Sequence, residues 1–283
     1  MDHADRLNGK PVSVDDSSPV NVTAAASCGI AFMAKASVPG RAKTRLVPPL
    51  TFDEAAALNT AFLQDVADNV LLAASHAQAD AGIAGYAAFG PSGSEDFFRR
   101  TLPPSIGLIE AWLPNFGDCL LHAIREILAR GHNSAVVFNS DSPTLPTALL
   151  VETAAVLAAP GDRAVLGPSS DGGYYLLGLK AAHRRMFEDV AWSTERVAAQ
   201  TLERARDIGL EVHRLPVWYD VDDVESLRRL RGELDEPESA RRRSDPRRPH
   251  YAVHSAALLN GFWRRHDFSR RVDGPAPIES LRA

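Results

Sequence analysis

Ser134-Ala-Val-Val-Phe138 is a short apolar run of the kind a strand shows when both its faces are buried. Similar runs recur at Cys28 to Ala34, Gly82 to Phe89, Ile106 to Trp112, Arg163 to Gly167, Tyr174 to Leu179 and Leu210 to Leu215. Helical patterns fall between them. Thr51-Phe-Asp-Glu54 matches a capping box and opens a helix through about Ala74, with Leu58, Phe62, Val66 and Val70 on one stripe. Asp118 to Ala129 is helical and Gly131 stops it. Pro146 to Ala159, Ser193 to Ile208 and Val221 to Leu230 complete the set. Buried strands alternating with helices predict an α/β fold: one Rossmann-like domain with a mostly parallel central sheet flanked by helices. In such sheets ligands bind beyond the carboxyl ends of strands, so the residues just after each strand are the ones to inspect.

The two ends read differently from this body, which spans 28–234. Residues 1–27 are polar and without periodicity, and are expected to be a flexible arm. Residues 235–283 begin with a Pro- and Arg-rich stretch and carry ten arginines, no lysine and seven acidic residues, which reads as a linker and tail. Within that tail, Ala256 to Trp263 forms a short amphipathic pattern that can pack back on the body. The formal net charge of −5 argues against a general nucleic-acid binder, so no nucleic-acid partner is expected. No apolar stretch is long enough to span a bilayer, and Val20 to Ala34 reads poorly as a signal peptide. Cys28 and Cys119, the two cysteines, cannot make a disulfide framework and read as buried hydrophobes of a reducing cytoplasm.

The segment after the first strand is Lys35-Ala-Ser-Val-Pro-Gly-Arg-Ala-Lys-Thr-Arg-Leu46. Lys35, Arg41, Lys43 and Arg45 stand close together beside Pro39-Gly40, a combination of cations and free backbone N–H groups that phosphates require. Neither a G-x-x-x-x-G-K-S/T nor a G-x-G-x-x-G pattern occurs. A solvated basic loop is the plain alternative, and the position directly after a buried strand argues against it. Asp141, in Asn139-Ser-Asp-Ser-Pro143, places a carboxylate after the clearest strand, where it is either a ligand for a hard divalent cation or a turn and cap residue. Asp171-Gly172-Gly173 is a hairpin signal, or else a pair of glycines that lets a sugar approach the backbone with Asp171 on a hydroxyl. In Tyr219-Asp-Val-Asp-Asp223 the carboxylates of Asp220 and Asp222 point the same way in an extended chain and can complete a metal site, while Asp222 or Asp223 caps the next helix.

In order, the segments FMAKASVPGRAKTRL, NSDSPTLP, LGPSSDGGYYLLGL, AWST and DVDDVESL resemble the rSAM/selenodomain-associated transferase family of the GT-A nucleotide-diphospho-sugar transferase superfamily. Lys43-Thr-Arg-Leu46 and Pro168 to Gly173 are also similar to segments of 2-phospho-L-lactate guanylyltransferases. The resemblance covers about residues 29–232. It implies a bound nucleotide and a divalent metal, Mg2+ or Mn2+, at Asp141 with Asp220 or Asp222. Ser140 then joins the cation loop, including Gly40, on the nucleotide. Gly172, Gly173, Tyr174, Trp192 and Thr194 face the substrate, and Lys43 and Asp171 take catalytic roles. Two departures stand out: the family's usual Gly before Ser-Asp-Ser-Pro is Asn139, and its D-L-G-E-R segment is Asn115-Phe-Gly-Asp-Cys119, without the Arg.

The expectation is a metal-dependent glycosyltransferase that passes a sugar from a nucleotide-diphosphate sugar to a small-molecule acceptor. Lys43, Arg41 and Arg45 would offset charge on the departing nucleotide, and Asp171 would orient a hydroxyl or act as base. The alternative is a nucleotidyltransferase joining an NTP to a phosphorylated small molecule, because the electrostatic problem is the same. A non-catalytic nucleotide-binding protein is the third reading.

Overall fold

The computed structural model describes residues 27–77, 82–235 and 247–273. The expected N-terminal arm, apart from Ser27, lies outside the described residues, as do residues 236–246 of the expected linker. The strands are β1 (Ser27–Lys35), β2 (Gly82–Gly90), β3 (Gly107–Glu110), β4 (Ser134–Asn139), β5 (Arg163–Pro168), β6 (Tyr174–Leu179) and β7 (Glu211–Arg214). They form one sheet in the order β3-β2-β1-β4-β6-β5-β7, in which β6 alone runs antiparallel to its neighbours β4 and β5. The helices are α1 (Phe52–His76), α2 (Glu95–Thr101), α3 (Phe116–Ala129), α4 (Thr147–Ala158), α5 (Val197–Asp207), α6 (Val224–Leu234), α7 (Val253–Trp263) and α8 (His266–Asp273). The capping box opens α1 as expected: Thr51 Oγ1 accepts from Glu54 N–H, and Glu54 Oε2 accepts from Thr51 N–H at 2.8 Å.

Alternate residues of each central strand go to opposite faces. Ile30 and Phe32 of β1 join Val66 and Val70 of α1 and Leu150 of α4. Ala31, between them, faces Ile124 and Ile127 of α3. The central strands are thereby covered on both sides, which is why they read as continuous apolar runs. α2 has no counterpart in the sequence reading, because its seven residues are too few for a periodic stripe.

The amphipathic pattern at Ala256 to Trp263 is helical, as part of α7, and packs on the body as expected, and α8, which the sequence reading did not contain, joins it there. Ala252, Ala256 and Leu259 near and on α7 and Phe268 and Val272 of α8 are buried against Leu58 and Phe62 of α1 and Leu227 and Leu230 of α6. Each such large apolar side chain contributes roughly 1.5–3 kcal/mol, enough to hold an Arg-rich segment on the body. Asp65 of α1 caps α7 across the interface, accepting from His254 N–H and Ser255 N–H, both at 2.8 Å. Burial pushes the Asp65 carboxyl up to about 6, against the pull of its bonds to Ser255 and to the His254 and Ser255 N–H groups. Glu54 ties α8 to the start of α1 through a two-pronged pair with Arg271, at 3.0 and 2.9 Å, and through Arg265. No helix among the described residues is long and apolar enough to cross a membrane.

Candidate functional site

β1, β2 and β4 end side by side, and the loop from Lys35 to Leu46 rises over their carboxyl ends. Asn59 of α1 pins the start of that loop, donating to Lys35 O at 3.0 Å and to Ser37 Oγ at 2.8 Å. Beneath it lies a cavity of about 450 Å3, within the size range of small-ligand sites. Its lining is divided by chemistry. Lys35, Arg41, Lys43 and Arg45 stand on the loop side, while Met33, Ala88, Ala111, Trp112, Phe116 and Cys119 make an apolar wall. Ser140, Asp141 and Asp222 complete the polar side.

Lys43 is the centre of the polar side. Its backbone sits in the left-handed region at φ 49°, uncommon for a residue with a side chain. The ammonium donates to Val221 O at 2.7 Å and pairs with Asp141 Oδ1 at 2.8 Å and Asp222 Oδ1 at 3.2 Å. The Phe62 ring lies 5.1 Å below it. The segment after β7 is fastened to the end of β4, since Val221 N–H donates to Asp141 O at 2.8 Å and Ser142 Oγ donates to Tyr219 O at 2.7 Å. Two carboxylates far apart in sequence thus meet around one cation. Arg45 reaches Asp222 at 3.3 Å from an exposed position, where an ion pair adds little. Lys35 and Arg41 make no ion pair among the described residues.

The expected acidic trio separates. Asp223 takes the cap of α6, accepting from Ser226 N–H at 2.8 Å, which leaves Asp222 free to face Lys43. Asp220 does not line the cavity; it accepts from Ser169 Oγ at 3.0 Å. Burial, then the charges of Asp222 and Asp171, push its carboxyl up to about 6. Among the described residues no three metal-ligating side chains cluster. The pair Asp141 and Asp222 does fit a hard cation, because both already face one positive charge at the cavity wall.

The remaining expected substrate residues lie outside the cavity lining. Asp171 Oδ1 accepts from Gly173 N–H at 2.9 Å and closes its own turn. Gly172, at φ 88°, lies so close to Glu195 that a Cβ would stand 2.2 Å from its carbonyl oxygen, so this glycine serves chain packing. Thr194 Oγ1 donates to Ala191 O at 2.7 Å. The Tyr174 hydroxyl is buried without a partner among the described residues. Trp192 comes nearest, its ring edge-on to Phe116 with centroids 5.7 Å apart.

Several wall residues escaped the sequence reading. Trp112 follows β3 and packs across Gly90, where a Cβ would meet its ring at 2.2 Å. Applying the rule of residues after strands to β3 would have found it. Phe116 and Cys119 carried no local signal beyond the departure from D-L-G-E-R.

Residues 72–194 match the family model DUF2064, described as an uncharacterized protein conserved in bacteria. No curated protein matches the chain. A Desulfovibrio desulfuricans G20 protein of solved structure, provisionally described as a nucleotide-diphospho-sugar transferase, superposes with a TM-score of 0.69 at 27% identity, over 87% of this chain and 98% of its own. The fold is nucleotide-diphospho-sugar transferase-like. A cytidylyltransferase from Leptospira borgpetersenii aligns over 85% of this chain and 95% of its own, with a TM-score of 0.47 at 9% identity. Rv0371c from Mycobacterium tuberculosis H37Rv, in complex with manganese, aligns over 72% and 97%, with a TM-score of 0.41 at 18% identity.

Proposed function

We propose that the protein is a transferase that binds a nucleotide-diphosphate sugar in the cavity over β1 to β4 and passes the sugar to a small-molecule acceptor. The reading agrees with the resemblance to the rSAM/selenodomain-associated transferases and with the provisional description of the Desulfovibrio structure. The observation that carries it is the buried Lys43 ammonium between Asp141 and Asp222 at the wall of a cavity that Lys35 and Arg41 also line. Cations fixed before the ligand arrives stabilise charge on a departing diphosphate without reorganising. Lys35 and Arg41, which make no ion pair among the described residues, are groups of this kind, with Arg45 beside them, while Lys43 holds the two carboxylates together. Lys35 and Ser140 belong to the nucleotide side, whereas Gly40, expected with them, lies outside the cavity lining. Asp141 and Asp222 would hold Mg2+ or Mn2+, which when bound neutralises diphosphate oxygens.

Nucleotidyl transfer is a second reading, and one observation favours it. Asp171 does not line the cavity, and a phosphate acceptor, already ionised, needs no general base. A thermal-shift series with UDP-, GDP- and CDP-sugars and with NTPs, each with and without Mn2+, tests both. A rise with a nucleotide sugar supports the first reading and a rise with NTPs alone the second. No shift with any of them overturns both.

A further inference from the structure

The amide of Asn139, at the end of β4, stands out within the cavity. Its Oδ1 is buried and has no hydrogen-bond partner among the described residues. The residue lines the cavity beside Ser140 and pairs in register with Met33, another lining residue. A buried amide oxygen left without a donor costs free energy, so a native chain that keeps one has a use for it.

The surroundings say what fills that deficit. Besides the loop cations and the polar groups Asn59, Ser140, Asp141 and Asp222, Asn139 shares the lining with Ala88, Ala111, Trp112, Phe116 and Cys119. Trp112 and Phe116 are each about half exposed, at 51% and 50%, and present ring surface at the site. Two half-exposed aromatic rings and one amide with an unpaired acceptor match a flat group with apolar faces and a polar edge more closely than a polyol. A nucleobase has two apolar faces and a polar edge on which an N–H adjoins an acceptor, and an Asn amide matches such an edge with two bonds. We infer that Asn139 reads the edge of the nucleobase while Trp112 and Phe116 flank its plane, so that Asn139 sets which nucleotide the protein accepts. This rests on the proposed function and adds to it the direction in which the ligand lies: diphosphate under Lys43 and Arg41, base against β4 and α3.

The test is calorimetric titration of the full chain and of its Asn139→Ala and Asn139→Gly variants with UDP, GDP, CDP and ADP, and with inorganic pyrophosphate as a baseless probe. The wild type is expected to rank the four nucleotides. Either variant is expected to lose about tenfold or more on the preferred one and to flatten the ranking. Pyrophosphate affinity is expected to stay unchanged, which also reports that the variants are folded. Nucleotide binding with an unchanged ranking in both variants overturns the role of Asn139 and leaves the proposed function standing. Failure of the wild type to bind any of the four overturns that function and this inference together.

Discussion

The Lys43 ammonium lies 2.8 Å from a carboxylate oxygen of Asp141, and the two side chains differ sharply in exposure, 4% against 35%. The cation is the buried partner and the anion keeps contact with the cavity. A buried ammonium is costly unless paired, so the two carboxylates and Val221 O together hold it in place. The left-handed backbone at Lys43 adds about 1–2 kcal/mol of local cost that the surrounding contacts must offset. The chain therefore carries a fixed positive charge at the point where two carboxylates would otherwise repel.

Replacing that charge tests the arrangement. Lys43→Met leaves Asp141 and Asp222 without their common cation, so Mn2+ affinity of the ligand-free protein is expected to rise. Affinity for a nucleoside diphosphate is expected to fall, because without the ammonium two facing carboxylates at the cavity wall repel the anionic ligand. Mn2+ and nucleotide titrations of the variant read both. Mn2+ affinity equal to the wild type's would mean that the two carboxylates do not share a cation.

Asp141→Asn is expected to abolish the metal dependence of nucleotide binding and to leave the fold near intact. The backbone bond from Val221 N–H to Asp141 O does not involve the side chain. Nucleotide titrations with and without Mn2+, beside a thermal melt, measure both. Persisting metal dependence would take Asp141 out of the site.

The strands and α1 were legible because burial on both faces leaves an apolar run and a capping box leaves a fixed pattern. Lys43, Asp141 and Asp222 were legible for a related reason: they lie in the segments that follow β1, β4 and β7, where an α/β sheet gathers its ligand groups. Asp220, Gly172 and Thr194 were read toward the ligand because spacing alone cannot tell a side chain that faces a cavity from one that closes its own turn. Of the apolar wall, Trp112 was within reach of the same rule, but Phe116 and Cys119 were illegible, since they look like core residues until α3 is set over the sheet. Of the two C-terminal helices, α7 was legible in its amphipathic pattern, while α8 was hidden by composition: arginines that read as a solvated tail instead pair with Glu54 and lie over aromatic rings, as Arg265 does on Phe262 at 4.8 Å.

Glu54 predicts a pH dependence. Burial raises its carboxyl, but Arg271, the Thr51 N–H and Arg265 outweigh burial and bring it down from 4.5 to about 2. The unfolded chain therefore takes up this proton first as pH falls. The stabilisation is complete above about 4.5 and is lost as pH falls toward about 2. The shift corresponds to a few kcal/mol, on the order of 3. Urea denaturation at pH 6 and pH 3 is expected to show a larger loss for the wild type than for Glu54→Gln, which starts less stable. Equal losses would mean that the contact with Arg271 does not persist in solution.

Asp171 is the residue on which a general-base role can be tested directly. It is exposed, closes its own turn through Gly173 N–H and stands outside the cavity lining. Asparagine offers the same acceptor to Gly173 and is itself a good turn residue. Asp171→Asn is therefore expected to keep donor affinity and a turnover rate within about threefold of the wild type, because a residue that only shapes a turn moves neither quantity. A general base lost from the reacting centre would instead cost a factor of ~10²–10⁴ in rate and leave donor binding alone. Single-turnover rates and donor titrations on the same variant separate the two cases. A near-normal rate fits an acceptor that arrives already ionised, such as a phosphate. A fall of a hundredfold or more with intact binding would place Asp171 beside an acceptor hydroxyl, and would require its turn to open from Gly173 when the donor binds.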